Sequence, residues 1–386
     1  MNPNTCVEDL SVTLGVEEEF FLVDPESRDL LADPDPQIFE VCKAKQGSHK
    51  VVHEFLRSQI EISTHVCSSV SEVRTALMET RRVIIDGARQ FGAAVLASST
   101  HPFAAWDEQL PTPNDRYESF ANTYQESVRR LLVGGLHIHA GFGDPELRIR
   151  VMTALRRYLP ILNALSASSP FSGGRETGFK CGRLNLLGAL PRTSLPRELY
   201  SCAEFDRLVQ DYQRLEFIGD GSELWWDIRP SHAYPTIEMR ICDVCPRLED
   251  TLSIVAMYAS LVRWLLRQAI EGRLPPEPPT EIIAENVWLA QRYGVLAFLG
   301  DTMNGGRIDI ADNVARLVDD LSADAQALGC ENELHHTLDI IREGAGADRQ
   351  IDCYRLTLLD GATTEEALCS VVDLGLAETA AGIAEQ

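Results

Sequence analysis

Three short apolar stretches carry reactive side chains two residues apart: Gly15-Val16-Glu17-Glu18-Glu19-Phe20, Gly135-Leu136-His137-Ile138-His139-Ala140-Gly141 and Thr236-Ile237-Glu238-Met239-Arg240. Their apolar and β-branched surroundings read as strands. Along a strand, side chains alternate faces, so residues i and i+2 share a face at roughly 6–7 Å. Glu17 with Glu19, His137 with His139, and Glu238 with Arg240 therefore each present a pair to one side of a sheet. Carboxylates, imidazoles and a guanidinium on one concave face suit divalent cations that hold phosphates. That is the equipment of an ATP-using enzyme.

The rest of the 386-residue chain is ordinary: 45% hydrophobic and 24% charged. A net charge of −23 argues against a nucleic-acid partner, which requires a basic patch. It does not exclude a phosphate-bearing ligand, because bound cations supply a local positive field. No segment reaches the ~20 apolar residues needed to span a bilayer, so no membrane partner is expected. Met1 to Leu10 is polar and acidic, without the basic start and apolar run of a signal peptide, and a cytoplasmic location is expected. The ten scattered cysteines are then expected as free thiols, and Cys242-x-x-Cys245 as a structural pair.

Strands are expected at 12–23, within 51–64, at 93–97, 135–142, 223–229 and 236–243. Helices are expected at 69–91, 113–132, 146–168 and 204–217. The first of these opens with Ser69-x-x-Glu72, a capping-box spacing. Residues 170–196 read as a long glycine-rich loop bearing Arg175, Lys180, Arg183 and Arg192. Beyond Arg247 the chain reads as helices at 248–272, 279–293, 308–327, 331–345 and 363–384. Strands and helices interleave over the first part with no clean boundary. The expected organisation is a flexible tail at 1–11 and a single α+β domain at 12–386, with a curved, mostly antiparallel sheet and a helical C-terminal half.

Each constellation has two readings. Glu17 and Glu19 are ligands of hard cations, with Glu18 turned away, or the end of a solvated acidic strand. Gln59-Ile60-Glu61 repeats the i, i+2 pattern, and Glu61 either completes a metal site or belongs to a cross-strand polar pair. His137 and His139 ligate metal or donate to phosphate, or are satisfied core residues. Glu238 beside Arg240 reads as a metal carboxylate next to a phosphate clamp, or as an ion-pair ladder. Arg229 is a second clamp or a surface arginine. There is no G-x-S-x-G, Walker A or dinucleotide glycine fingerprint, so ATP would not bind through a P-loop.

Together the motifs resemble a known family. Gly-x-Glu-x-Glu, the Gln-x-Glu strand, Gly-x-His-x-His-x-Gly, Ser168-Ser169-Pro170-Phe171 with Gly174-Arg175-x-Thr177-Gly178, Trp226-Asp227-x-Arg229-Pro230-Ser231 and Pro235-Thr236-x-Glu238-x-Arg240-x-Cys242-Asp243 are similar to the YbdK-type carboxylate–amine ligases, or type 2 glutamate–cysteine ligases. So is the segment Glu285-Asn286-x-Trp288-x-Ala290-x-Arg292-Tyr293-Gly294. The resemblance runs from about Leu14 to the C-terminal helices. It implies a glutamine synthetase-like funnel and an ATP-dependent ligase with glutamate–cysteine ligase activity, working through an acyl phosphate. It implies Mg²⁺ or Mn²⁺, a glutamate-like acid, a cysteine-like amine and a homo-oligomeric, dimeric assembly. Glu17 and Glu19 would bind different cations, Glu61 joining Glu19, and His137 and Glu238 joining Glu17. Arg240 would contact the transferring phosphoryl group, and with Glu238 it would carry catalysis. His139 and Arg229 would approach the nucleotide phosphates, and Arg175 the substrate.

Two other readings stay open. His137-x-His139 with a distant histidine (232, 335 or 336) and a carboxylate would hold the zinc of a hydrolase. A catalytically weak nucleotide-binding protein would keep ATP and Mg²⁺ without turnover.

Overall fold

The computed structural model describes residues 10–301 and 305–383. The tail expected at 1–11 falls almost wholly outside them. The principal sheet contains β1 (Thr13–Val23), β2 (Lys50–His53), β3 (Gln59–Ser63), β4 (Ala94–Leu96) and β5 (Leu136–Gly141). Later in the chain come β6 (Phe171–Ser172) and β7 (Arg175–Glu176), a small hairpin, then β8 (Ile228–Pro230) and β9 (Thr236–Cys242), which return to the sheet. A second hairpin, β10 (Phe298–Asp301) and β11 (Gly306–Asp309), stands apart. The sheet order is β2-β3-β1-β5-β9-β8, and every pairing is antiparallel. β4 shares the β5 edge of β1, taking the far end of that strand.

The strand alternation divides the sheet into two chemical faces. Leu14, Val16, Phe20, Leu22, Ile60, Ile62, Ile138, Ile237, Met239 and Ile241 are all buried in one core. Helix Val70–Arg89 packs on this face; Ser69 caps it by accepting the Glu72 N–H, but the Glu72 carboxylate turns to Ser68 and the capping box does not close. Helix Leu248–Ile270 runs through the middle and is buried around most of its circumference, as a nearly all-apolar helix must be. Glu18 points the same way as Val16 and Phe20. It is fully buried, held by Arg81 Nε at 2.9 Å and the Thr251 hydroxyl at 3.1 Å. Both glutamates flanking it face the opposite side.

Several sequence expectations need correction. The helix expected at 113–132 is two pieces, Asp115–Tyr124 and Glu126–Arg129, separated by Gln125 at φ +50°. The strand expected at 223–229 is only β8, because Asp220 caps a tight turn over Gly221–Glu223. The 170–196 segment is not a bare loop. Gly173 and Gly174, both at positive φ, turn the β6–β7 hairpin, and Arg183–Leu187 is a short helix. Helices Gln37–Lys45 and Gly346–Leu359 and the β10–β11 hairpin were not expected.

Candidate active site

Strand pairing draws the distant motifs together. Glu19 lies opposite Glu61, Glu17 opposite His137, and His139 opposite Glu238, which in turn faces Arg229. Seven polar motif positions from five strands thus occupy adjoining places on one sheet face. The β5–β9 register shifts between Leu136 and Ile138, so that Arg240 and Ile241 together oppose His137. Such a bulge re-aims a side chain, and the Arg240 N–H turns to the Asp227 carbonyl at 2.8 Å.

This face floors a cavity of about 1170 Å³. Glu17, Glu19, Glu61, His137, Arg229 and Arg240 line it, together with Glu54, Arg183 and Asp227. Aromatic groups of the opposite wall include Tyr117, Phe120 and Trp225. His139 sits at the edge of this array, its Nε2 3.6 Å from Glu17 Oε1 and its Nδ1 2.9 Å from the Thr236 hydroxyl.

Two clusters here have the composition and spacing of cation sites. Glu17, His137 and Glu238 bring one ligand atom each within 4.8 Å of one another, and Glu19, Glu54 and Glu61 do the same. The division of Glu17 from Glu19 agrees with that implied by the motifs. Glu54 was not among the expected site residues: it lies between β2 and β3, where no strand period marks it. His137 stands between the clusters, with Nδ1 3.2 Å from Glu17 Oε2 and Nε2 3.8 Å from Glu19 Oε1. Its Nε2 is buried with no hydrogen-bond partner, and so is that of His139. Buried polar atoms of this kind call for a missing partner. Packed oxygen ligands with imidazole nitrogens fit a hard divalent cation.

The electrostatics separate the two clusters. Burial alone would raise the Glu17 carboxyl, but the hydrogen bonds and charge of His137 and His139 hold it well below the ordinary range. Burial opposes Glu238 too, and the charges of Arg240 and Arg229 overcome it. Glu19 is pushed up to about 8 by burial and then by the Glu54 charge, against the pull of Arg183 and Arg240. Glu61 rises for the same leading reasons, burial and Glu54. His137 is depressed to about 4 by burial and the Arg240 charge. Glu19 and Glu61, crowded beside Glu54, thus resist ionisation.

Cationic side chains complete the floor. Arg229 donates to Glu238 from Nε at 2.9 Å and Nη2 at 3.1 Å, while Arg240 Nη1 donates to Glu238 Oε1. Arg183 was named in the sequence only as one of four basic residues in a loop. It is buried, donates to the Arg240 carbonyl at 3.2 Å and to that of Cys242 at 3.3 Å, and leaves its Nε without a partner. A Cβ at Gly135 would lie 2.4 Å from Arg183 Nη2 and 3.2 Å from His137 Nε2, so only glycine lets that guanidinium pack beside the histidine. Arg175, expected at the substrate, is exposed on the β6–β7 hairpin and does not line the cavity. Asp227, a buried acid pushed up to about 6 by its burial, was not among the expected site residues.

The zinc reading finds none of its three candidate histidines here. His336 Nε2 is 3.0 Å from Asp250, His232 Nε2 is 4.0 Å from Asp220, and His335 is exposed on helix Glu331–Glu343. None of the three lines the cavity.

The sequence profile of glutamate–cysteine ligase family 2 matches residues 13–373. The chain belongs to this family. It is an enzyme of the ATP-dependent carboxylate–amine ligase class. A relative from Rhodospirillum rubrum is 42% identical over 372 residues, 96% of each chain, and bears the provisional name glutamate–cysteine ligase 2. A relative from Roseiflexus, 33% identical over 380 residues and 98% of each chain, carries the same name. Among solved structures, the glutamate–cysteine ligase of Francisella tularensis, in complex with AMP, superposes with TM-score 0.66 at 13% identity, over 97% of this chain and 90% of that one. A bifunctional glutathione synthetase from Pasteurella multocida gives TM-score 0.70 at 14% identity. It covers 96% of this chain, which spans only 53% of that larger protein. These two likenesses establish the fold, a glutamine synthetase-like ligase architecture. No described helix is long and apolar enough to cross a membrane.

Proposed function

We propose that this ligase joins the side-chain carboxylate of a glutamate-like acid to the amine of cysteine or a cysteine-like compound. ATP is the phosphoryl donor and Mg²⁺ or Mn²⁺ the cation. The reading rests chiefly on one observation: two ligand clusters, Glu17–His137–Glu238 and Glu19–Glu54–Glu61, lie side by side on a sheet face bordered by Arg183, Arg229 and Arg240. In this reading the chain acts as a cytoplasmic homodimer.

Bound cations would neutralise the phosphate oxygens and leave the phosphorus open to attack. The protein's own groups supply the rest. The acid's carboxylate oxygen attacks the γ-phosphorus, the bond to the β-phosphate oxygen breaks, and ADP leaves. The amine nitrogen then attacks the acyl-phosphate carbon, inorganic phosphate departs, and the nitrogen loses a proton. Arg240 sits on the bulge between the clusters, where it meets charge spreading over the transferring group. Arg229 and Arg183 are fixed by hydrogen bonds on their backbone-facing sides, which holds their charge in place without reorganisation.

A screen of ADP release over pairs of amino-acid carboxylates and amines with Mg²⁺ tests this. ADP formation that needs both a glutamate-like acid and a thiol-bearing amine supports it. ADP formation with neither, or with unrelated pairs only, contradicts the assigned substrates.

A further inference from the structure

A second cluster of metal-ligating groups lies outside the cavity, where β3 runs into helix Val70–Arg89. His65, Cys67 and Glu72 bring a ring nitrogen, the thiol sulfur and a carboxylate oxygen within 4.8 Å of one another. None of them lines the cavity of the ligase reaction. Backbone pairing fixes Cys67, whose N–H donates to the Leu14 carbonyl at 2.8 Å and whose carbonyl accepts from Leu14 at the same distance. Glu72 is equally placed: one carboxylate oxygen accepts from the Ser68 N–H and hydroxyl, both at 2.7 Å, and the other faces His65 Nε2 at 2.9 Å.

The surroundings hold the three groups in place. His65 Nε2 faces Glu72 Oε1 at 2.9 Å and lies 4.0 Å from the Cys67 sulfur, whose thiol donates to the His65 carbonyl at 3.3 Å. Behind it, the His65 backbone N–H donates to His49 Nδ1 at 3.3 Å, and His49 Nε2 lies 3.1 Å from Glu79 Oε2.

We infer that His65, Cys67 and Glu72 bind a thiolate-accepting divalent cation of the zinc class. The cation displaces the Cys67 proton to solvent as the metal–sulfur bond forms. Sulfur, imidazole nitrogen and carboxylate oxygen suit zinc and exclude magnesium as the preferred occupant. Three protein ligands leave a fourth position for water, reached from the half-exposed side of His65 and Glu72. His49 and Glu79 form an outer shell that holds the His65 backbone and ring in place, a common support for a metal-bound histidine.

Cobalt reports on this site without reference to enzyme activity. The full chain is saturated with Mg²⁺ to fill the oxygen clusters, then titrated with Co²⁺ alone. A near-ultraviolet thiolate-to-cobalt band saturating at one equivalent, and erased by Zn²⁺, is expected. Cys67→Ser and His65→Gln should abolish it, and His49→Gln should weaken binding by about tenfold. Glu238→Gln, in the cluster on the sheet face, should leave it intact. Circular dichroism establishes that each variant is folded, and His65→Gln decides should the buried Cys67 position not tolerate change. No band, or a band that survives both Cys67→Ser and His65→Gln, overturns the assignment, leaving a His65–Glu72 hydrogen bond beside a free thiol.

Discussion

Arg229 grips Glu238 through two parallel hydrogen bonds of 2.9 and 3.1 Å, while its other amino group donates to the carbonyls of Ser222 and Leu224 at 2.7 and 2.9 Å. The guanidinium therefore joins the end of β8 to a carboxylate of the first cation cluster. A lysine cannot reproduce either the paired contact or the backbone anchorage. Arg229→Lys should lower kcat/KM for ATP by about tenfold to a hundredfold, by analogy with loss of an outer-shell partner. Steady-state ADP release checks this, and an unchanged ratio would remove Arg229 from the phosphate site.

Glu238 is buried, Arg240 is half-buried, and the two are ion-paired, which shapes how they should be tested. An alanine at 240 takes one of two arginines from a buried carboxylate, and an alanine at 238 leaves two guanidiniums facing each other, so either change costs stability as well as chemistry. Glu238→Gln keeps the shape and one acceptor. It should fold, melt within a few degrees of the parent, and lose roughly 10²–10³ in turnover. Thermal melts paired with ADP release separate the chemical loss from a folding loss.

Arg183 and Arg175 make an internal contrast. Arg183 is buried against the Arg240 and Cys242 carbonyls, and Arg175 is exposed on a hairpin. Arg183→Ala should cost roughly 10² or more in kcat/KM. Arg175→Ala should change it by less than about threefold, as for a surface residue. Gly135→Ala probes the same guanidinium from behind: its methyl would meet Arg183 Nη2, and activity should fall without any charged group having been removed. Parallel kinetics on the three variants give the order directly.

Glu19, pushed up to about 8, and Glu61, also raised, fix the sign of a pH effect. Burial and the Glu54 charge raise both above their unfolded values, so the cation-free folded protein binds more protons than the unfolded chain. Their contribution to stability is present below the unfolded carboxylate range, near about 4.3, and is lost as pH rises toward 8. Cation binding needs these groups ionised. The rise in Tm produced by Mg²⁺ should therefore be larger at pH 8.5 than at pH 6. Glu54→Gln, which removes the repelling charge, should flatten that difference.

On the far side of the sheet, Arg81→Met should destabilise the fold by about 3–5 kcal/mol, because it strands Glu18 in the core. Denaturant unfolding measures this. Activity at low temperature should survive, since Glu18 faces away from the cavity.

The strands that build the site were legible because they obey a simple period. Val16, Phe20, Ile138, Ile237 and Met239 alternate with the polar residues, and burial follows that alternation. The cross-strand neighbours were implied by motif resemblance and are realised by antiparallel register. Other features carry no local signal. Glu54 reaches its cluster from a connection, where side-chain direction has no period. Arg183 gains its place through Ser169, whose hydroxyl accepts its N–H at 3.1 Å and donates to Asp243 at 2.6 Å. The bulge at Arg240 is a property of two strands together, visible in neither alone. Helix Gly346–Leu359 buries few side chains, so its apolar stripe is faint.

The most direct test is a count of bound Mn²⁺ by equilibrium dialysis in the presence of a non-hydrolysable ATP analogue. Two ions per chain are expected on the sheet face, with Glu17→Gln and Glu61→Gln each removing a different one. A single ion, or a count that neither substitution lowers, would contradict a paired cation site on this sheet.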